Sequence, residues 1–106
     1  MVEVEIDSGI CGFKTVVQAD NKPKYKAGVF IESTCPHVTK LAKVVKELGE
    51  VDVMRELFKK GESQILDASN AALPHITCPV PVGILKCLEA GSGMALPKEV
   101  TITFRQ

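Results

Sequence analysis

The chain predicts an α+β domain in which a three-stranded antiparallel meander, three to four helices and a closing C-terminal strand share one sheet. Three observations carry this. The first third alternates apolar and polar residues with a period of two, the middle switches to helical spacing, and the last residues return to alternation. A length of 106 residues suits a single domain over 1–106, with one modest core.

Val2, Val4 and Ile6 alternate with Glu3, Glu5 and Asp7, which gives a first strand one apolar and one solvated face. Residues 13–19 are rich in β-branched side chains, and residues 27–32 carry Val29, Phe30 and Ile31, so two further strands follow. Ser8-Gly9 and Asp20-Asn21-Lys22-Pro23 supply the turn chemistry between them. From Val38 the apolar residues fall at Leu41, Ala42, Val45 and Leu48, while Lys40, Lys43, Lys46 and Glu47 collect on the other side. Ser33 or Thr34 is placed to cap this first helix, Pro36 fits its first turn and Gly49 stops it.

A second helix runs from Asp52 as cap, through Met54, Leu57 and Phe58, to a stop near Gly61. A third starts at Ser63, carries Ile65, Leu66, Ala68 and Ala72, and is ended by Pro74. The fourth begins between Pro79 and Pro81, holds Val80, Ile84, Leu85 and Leu88, and ends in Gly91-Ser92-Gly93. That glycine pair follows a helix instead of opening one, which excludes a phosphate loop. Val100, Ile102 and Phe104 then alternate with Thr101, Thr103 and Arg105, the pattern of a closing strand.

Thirteen Lys plus Arg balance thirteen Asp plus Glu, so the basic excess of a nucleic-acid-binding face is missing. Every apolar stretch is broken within a few residues by Lys, Glu or Pro, too short to span a bilayer. The start Met1-Val2-Glu3-Val4-Glu5 is acidic and alternating, unlike a signal peptide. A cytoplasmic protein is expected, and in that compartment four cysteines argue for free thiols or metal ligands before disulfides.

Three of those cysteines sit at structural joints. Cys11 precedes Gly12, Cys35 precedes Pro36 and Cys78 precedes Pro79, with His37 and His75 flanking the last two. Thr34-Cys35-Pro36 and Thr77-Cys78-Pro79 repeat one tripeptide, each time immediately before a helix. If the fold gathers these joints, Cys11, Cys35 and Cys78 with His75 or His37 close a tetrahedral zinc site. An iron–sulfur cluster is the alternative, less favoured because it usually shows tighter cysteine spacing.

A second expectation needs no metal. A cysteine at a helix N-terminus is placed where the macrodipole favours a thiolate, so Cys35 or Cys78 is a candidate nucleophile, redox thiol or small-ligand contact. The same helix starts accept an anionic ligand through free N–H groups. A third expectation is a homodimeric interaction module, its sheet edge paired with another copy through strand 1 or the C-terminal strand, with purely structural cysteines. Cys87 lies one turn after Ile84 on an apolar helix face, which makes it a core residue.

The segments Ser8-Gly9-Ile10-Cys11-Gly12-Phe13, Ser33-Thr34-Cys35-Pro36-His37, His75-Ile76-Thr77-Cys78-Pro79-Val80-Pro81 with Gly83-Ile84-Leu85-Lys86, and Leu96-Pro97-Lys98-Glu99-Val100 resemble a family of small soluble proteins of unassigned function. The resemblance covers almost the whole chain and implies no activity.

Overall fold

The computed structural model describes residues 1–106. The elements in chain order are β1 (Val2–Asp7), a single 3-10 turn (Gly9–Cys11), β2 (Lys14–Lys22), β3 (Lys26–Ser33), α1 (Pro36–Leu48), β4 (Glu50–Asp52), α2 (Val53–Phe58), α3 (Gln64–Ala72) and α4 (Val80–Gly91). The four strands form one antiparallel sheet in the order β1-β2-β3-β4. This is an α+β fold with the expected meander at its centre.

The period-two reading of the strands holds residue by residue. Val4 pairs with Val17 and Val17 with Ile31, so Val2, Val4, Ile6, Thr15, Val17, Ala19, Ala27, Val29 and Ile31 line the face that the helices cover. Glu3 pairs with Gln18 and Gln18 with Phe30 on the opposite, solvated face, where Gln18 Nε2 donates to Glu3 at 2.8 Å. Helix α4 lies across β1 and β2, α1 lies on β3, and α3 packs against both helices. Fifteen buried apolar residues form one continuous cluster between the layers.

The helix boundaries follow local chemistry. Asp52 accepts from the N–H groups of Met54 at 3.0 Å and Arg55 at 3.3 Å, starting α2. Ser63 Oγ accepts from Leu66 N–H at 3.0 Å, starting α3. Gly49, at φ 69°, closes α1 in a backbone conformation that L side chains rarely adopt. The cap of α1 corrects the expectation, because neither Ser33 nor Thr34 fills that position. Cys35 does, at φ −81° and ψ 124°, and no side chain caps the first turn.

The expected C-terminal strand is also corrected. Residues 96–106 belong to no helix or strand, and Val100, Ile102 and Phe104 are exposed. The fourth strand is Glu50–Asp52, which pairs Val51 with Ala27 and buries it completely. Gly49 turns the chain back onto the edge of β3, so this short segment meets a partner immediately. Alternation makes a segment amphipathic enough for a strand but does not supply the neighbouring strand that a ladder requires. No helix is long and apolar enough to cross a membrane.

Candidate functional site

The antiparallel register brings the three cysteine joints to one end of the sheet. Ile6 pairs with Thr15 and Thr15 with Ser33, so the end of β1, the start of β2 and the end of β3 lie side by side. Cys11 sits in the 3-10 turn linking β1 to β2, and Cys35 follows two residues after Ser33. The first turn of α4 arrives at the same place, because Gly83 meets Ile6 so closely that an added Cβ would overlap its side chain. Cys78 lies two residues before α4 begins.

The joint around Cys35 is tied down by hydroxyls. Ser33 Oγ lies 2.8 Å from Thr15 Oγ1, donates to the Lys14 carbonyl at 3.1 Å and accepts the Cys35 N–H at 3.1 Å. Thr34 Oγ1 accepts from Lys14 N–H, and Thr34 N–H donates to the Lys14 carbonyl, both at 3.1 Å. The Cys35 carbonyl accepts from Thr39 N–H at 2.9 Å and from its hydroxyl at 3.0 Å. The backbone of Cys35 is therefore held while its thiol makes no capping bond.

Cys35 and Cys78 are half-buried and pack against the core cluster, whereas Cys11 is exposed, its Sγ 3.8 Å from the Ser8 carbonyl. His37 and His75 are exposed on the same rim. Two isoleucines, Ile10 beside Cys11 and Ile76 beside Cys78, are fully exposed there. All four cysteines are free thiols.

No three His, Cys, Asp or Glu side chains gather as a group that could hold a metal ion. A tetrahedral centre needs every ligand atom within about 2.0–2.3 Å of one point. Here Cys35 and Cys78 are half-buried and Cys11 is exposed. Cys11, Cys35, Cys78, His75 and His37 come to one rim of the fold.

The rim differs from the rest of the molecule in how its helices start. The first turns of α2 and α3 are satisfied by side chains, Asp52 for the former and Ser63 for the latter. Glu56 reinforces α3 from outside, its fully buried carboxylate accepting from Ser63 Oγ at 2.8 Å, Gln64 N–H at 3.0 Å and Ile65 N–H at 2.8 Å. The starts of α1 and α4 have no side-chain cap. Each of these uncapped starts has a cysteine beside it.

Sequence reasoning missed Glu56, although a signal existed. Glu56 follows Val53 at i+3 on a six-residue helix, which puts a carboxylate on the stripe facing the core. Cys87 is as expected, fully buried, its Sγ 3.4 Å from the Val2 carbonyl and 3.6 Å from that of Val17. Burial pushes its thiol above the ordinary value, outweighing the opposing effect of a hydrogen bond from the Ala19 backbone, and the charge of Glu3 adds to the rise.

Compared with known proteins, the chain matches the model of a family described as "Family of unknown function (DUF6951)" over residues 2–104. No curated protein and no solved structure matches it. The match covers nearly the whole fold, from the first strand into the C-terminal segment, and agrees with the resemblance to a family of unassigned function. The chain belongs to the DUF6951 family, whose function is unknown.

Proposed function

We propose that the protein is a small-ligand binding protein of the cytoplasm that works through the uncapped helix starts of this rim, with the thiol of Cys35 or Cys78 as its contacting or reacting group. The carrying observation is the contrast in capping. Helices α2 and α3 have side-chain acceptors on their first turns, while α1 and α4 have no side-chain cap, a cysteine beside the start and a proline in the first turn that leaves one N–H fewer. Free N–H groups and the positive end of the helix dipole favour an anionic group. Exposed Ile10 and Ile76 offer an apolar surface to the rest of such a ligand. The ligand class is therefore a small anion with an apolar part, and reduced thiols suit a cytoplasmic setting.

An anionic aromatic disulfide reagent is both a thiol titrant and a mimic of that ligand class. Its rates with native protein, with Cys35→Ser and with Cys78→Ser are compared with the rate for neutral iodoacetamide and with both rates in the unfolded chain. The expected result is a native thiol, lost in one of the two variants, that reacts faster with the anionic reagent than unfolded thiols do, without the same gain for iodoacetamide. Rates at or below the unfolded values at both positions overturn the proposal. So does stoichiometric zinc in protein purified without chelator, with three thiols protected until the metal is removed; that outcome restores the metal-binding alternative through Cys11, Cys35 and Cys78.

A further inference from the structure

The segment after α4 is the least satisfied part of the molecule. Met94 is the last residue packed against the core, its N–H donating to the Glu89 carbonyl at 3.1 Å. Beyond it the chain runs free of the sheet with Leu96 86%, Val100 60%, Ile102 83% and Phe104 89% exposed. The molecule measures 44 × 28 × 25 Å. Four large apolar side chains exposed within nine residues of one segment form a docking element and not the scattered apolar exposure of an ordinary surface.

The sheet has a matching open edge. β1 is its terminal strand, so on the side turned away from β2 the backbone groups of Glu3, Glu5 and Asp7 have no strand to pair with. On the helix-covered side of β1, Val2 and Val4 are only half-buried. On its solvated side stand Glu3, Glu5 and Asp7. The C-terminal segment carries the complementary pattern, with Val100, Ile102 and Phe104 on one face and Thr101, Thr103 and Arg105 on the other, preceded by Lys98. Laid beside β1, its apolar residues extend the row of Val2, Val4 and Ile6, and Arg105 falls on the acidic side.

We propose that residues 100–104 of one copy add to the β1 edge of a second copy, and that the exchange is reciprocal, giving a homodimer in which each sheet gains a fifth strand. Strand addition satisfies main-chain groups on both partners, and the alternating side chains set the fit. A two-fold exchange uses both segments and both β1 edges, which closes the assembly at two copies. The segment leaves from the end of α4 that packs Gly91 against Asn21, opposite the thiol rim. The dimer is read by light scattering and the rim by thiol rates, so the two proposals fail separately.

Light scattering on the eluting 106-residue chain tests the proposal, with hydrogen exchange on the amides of residues 101–104. The expected result is a dimer in which those amides are protected. Ile102→Pro removes one apolar contact outside the core and fixes a φ that a paired strand does not take, which raises the dissociation constant on the order of a hundredfold, with unchanged far-ultraviolet circular dichroism. Glu5→Lys weakens the dimer, and Arg105→Glu placed with it restores part of the loss. A monomer at millimolar concentration overturns the proposal. A monomer with protected 101–104 amides means that the segment closes on its own sheet and also overturns it. A dimer indifferent to Ile102→Pro places the interface elsewhere and overturns it as well.

Discussion

The buried carboxylate of Glu56 accepts the backbone N–H of Ile65 at 2.8 Å, nine residues further along the chain. With the Gln64 N–H and the Ser63 hydroxyl also on this carboxylate, and Arg55 at 3.4 Å, one side chain joins the end of α2 to the start of α3. An acid sealed from water is tolerated only when its lone pairs are met, and here four groups from the protein meet them.

Glu56→Ala is therefore expected to be among the more destabilising single changes, lowering stability by about 2–4 kcal/mol, since it leaves Ser63 Oγ and Ile65 N–H buried without their acceptor. Glu62→Ala, at an exposed position in the same loop, is expected to change stability by less than about 0.5 kcal/mol. Denaturant unfolding of the two variants checks this. Equal effects would mean that Glu56 does not hold the α2–α3 joint.

Gly83 and Ile6 are expected to be coupled in sign. A Cβ at position 83 falls on the Ile6 side chain, and Ile6 is buried in the core, so Gly83→Ala destabilises by about 1–3 kcal/mol despite the gain of about 1 kcal/mol in helix propensity. Ile6→Ala removes the overlapping atoms and costs about 2–5 kcal/mol by itself. In that background Gly83→Ala is expected to become neutral or stabilising. A double-mutant cycle measures the change, and additive effects would contradict the close approach.

The two residues show what sequence can and cannot carry. The starts at Asp52 and Ser63 and the stop at Gly49 were legible because each acts within four residues on its own backbone. The roles of Glu56 and Gly83 were hidden because their partners come from other elements. β4 escaped notice because three residues show no periodicity, and its strand character comes from the edge of β3. For the rim, the repeated Thr-Cys-Pro tripeptide did mark two helix starts. The antiparallel strands bring Cys11, Cys35 and Cys78 to one end, but side-chain direction, which decides whether three sulfurs share a point, depends on packing that no spacing encodes.

The Cys87 thiol sets an alkaline limb. Its ionisation is pushed upward from an ordinary 9.0 by burial, so the native state prefers the neutral thiol more strongly than the unfolded chain does. That contribution is fully present below pH 9.0 and is lost as the pH rises through the higher folded value. Unfolding free energy measured from pH 8 upward is expected to fall more steeply in the native sequence than in Cys87→Ala, whatever the offset from the missing sulfur. Parallel curves would show that this thiol ionises equally easily in both states.

The acidic limb is set at the start of α2. Asp52 is held below its ordinary 3.8 first by the Arg55 N–H and next by the Lys26 ammonium, whose Nζ lies 3.3 Å from the carboxylate. A lowered carboxylate stabilises the fold above its unfolded value and stops doing so as the pH falls through the folded one. Asp52→Asn keeps an oxygen able to cap Met54 and Arg55 but cannot titrate there. At neutral pH the native protein is expected to be the more stable of the two. Below pH 3.8 the difference is expected to shrink, because the protonated Asp52 loses its charge attraction to Lys26. Urea unfolding of both proteins from pH 6 down to pH 2.5 reads this directly, and a difference that stays constant through the window would mean that the cap acts through shape alone.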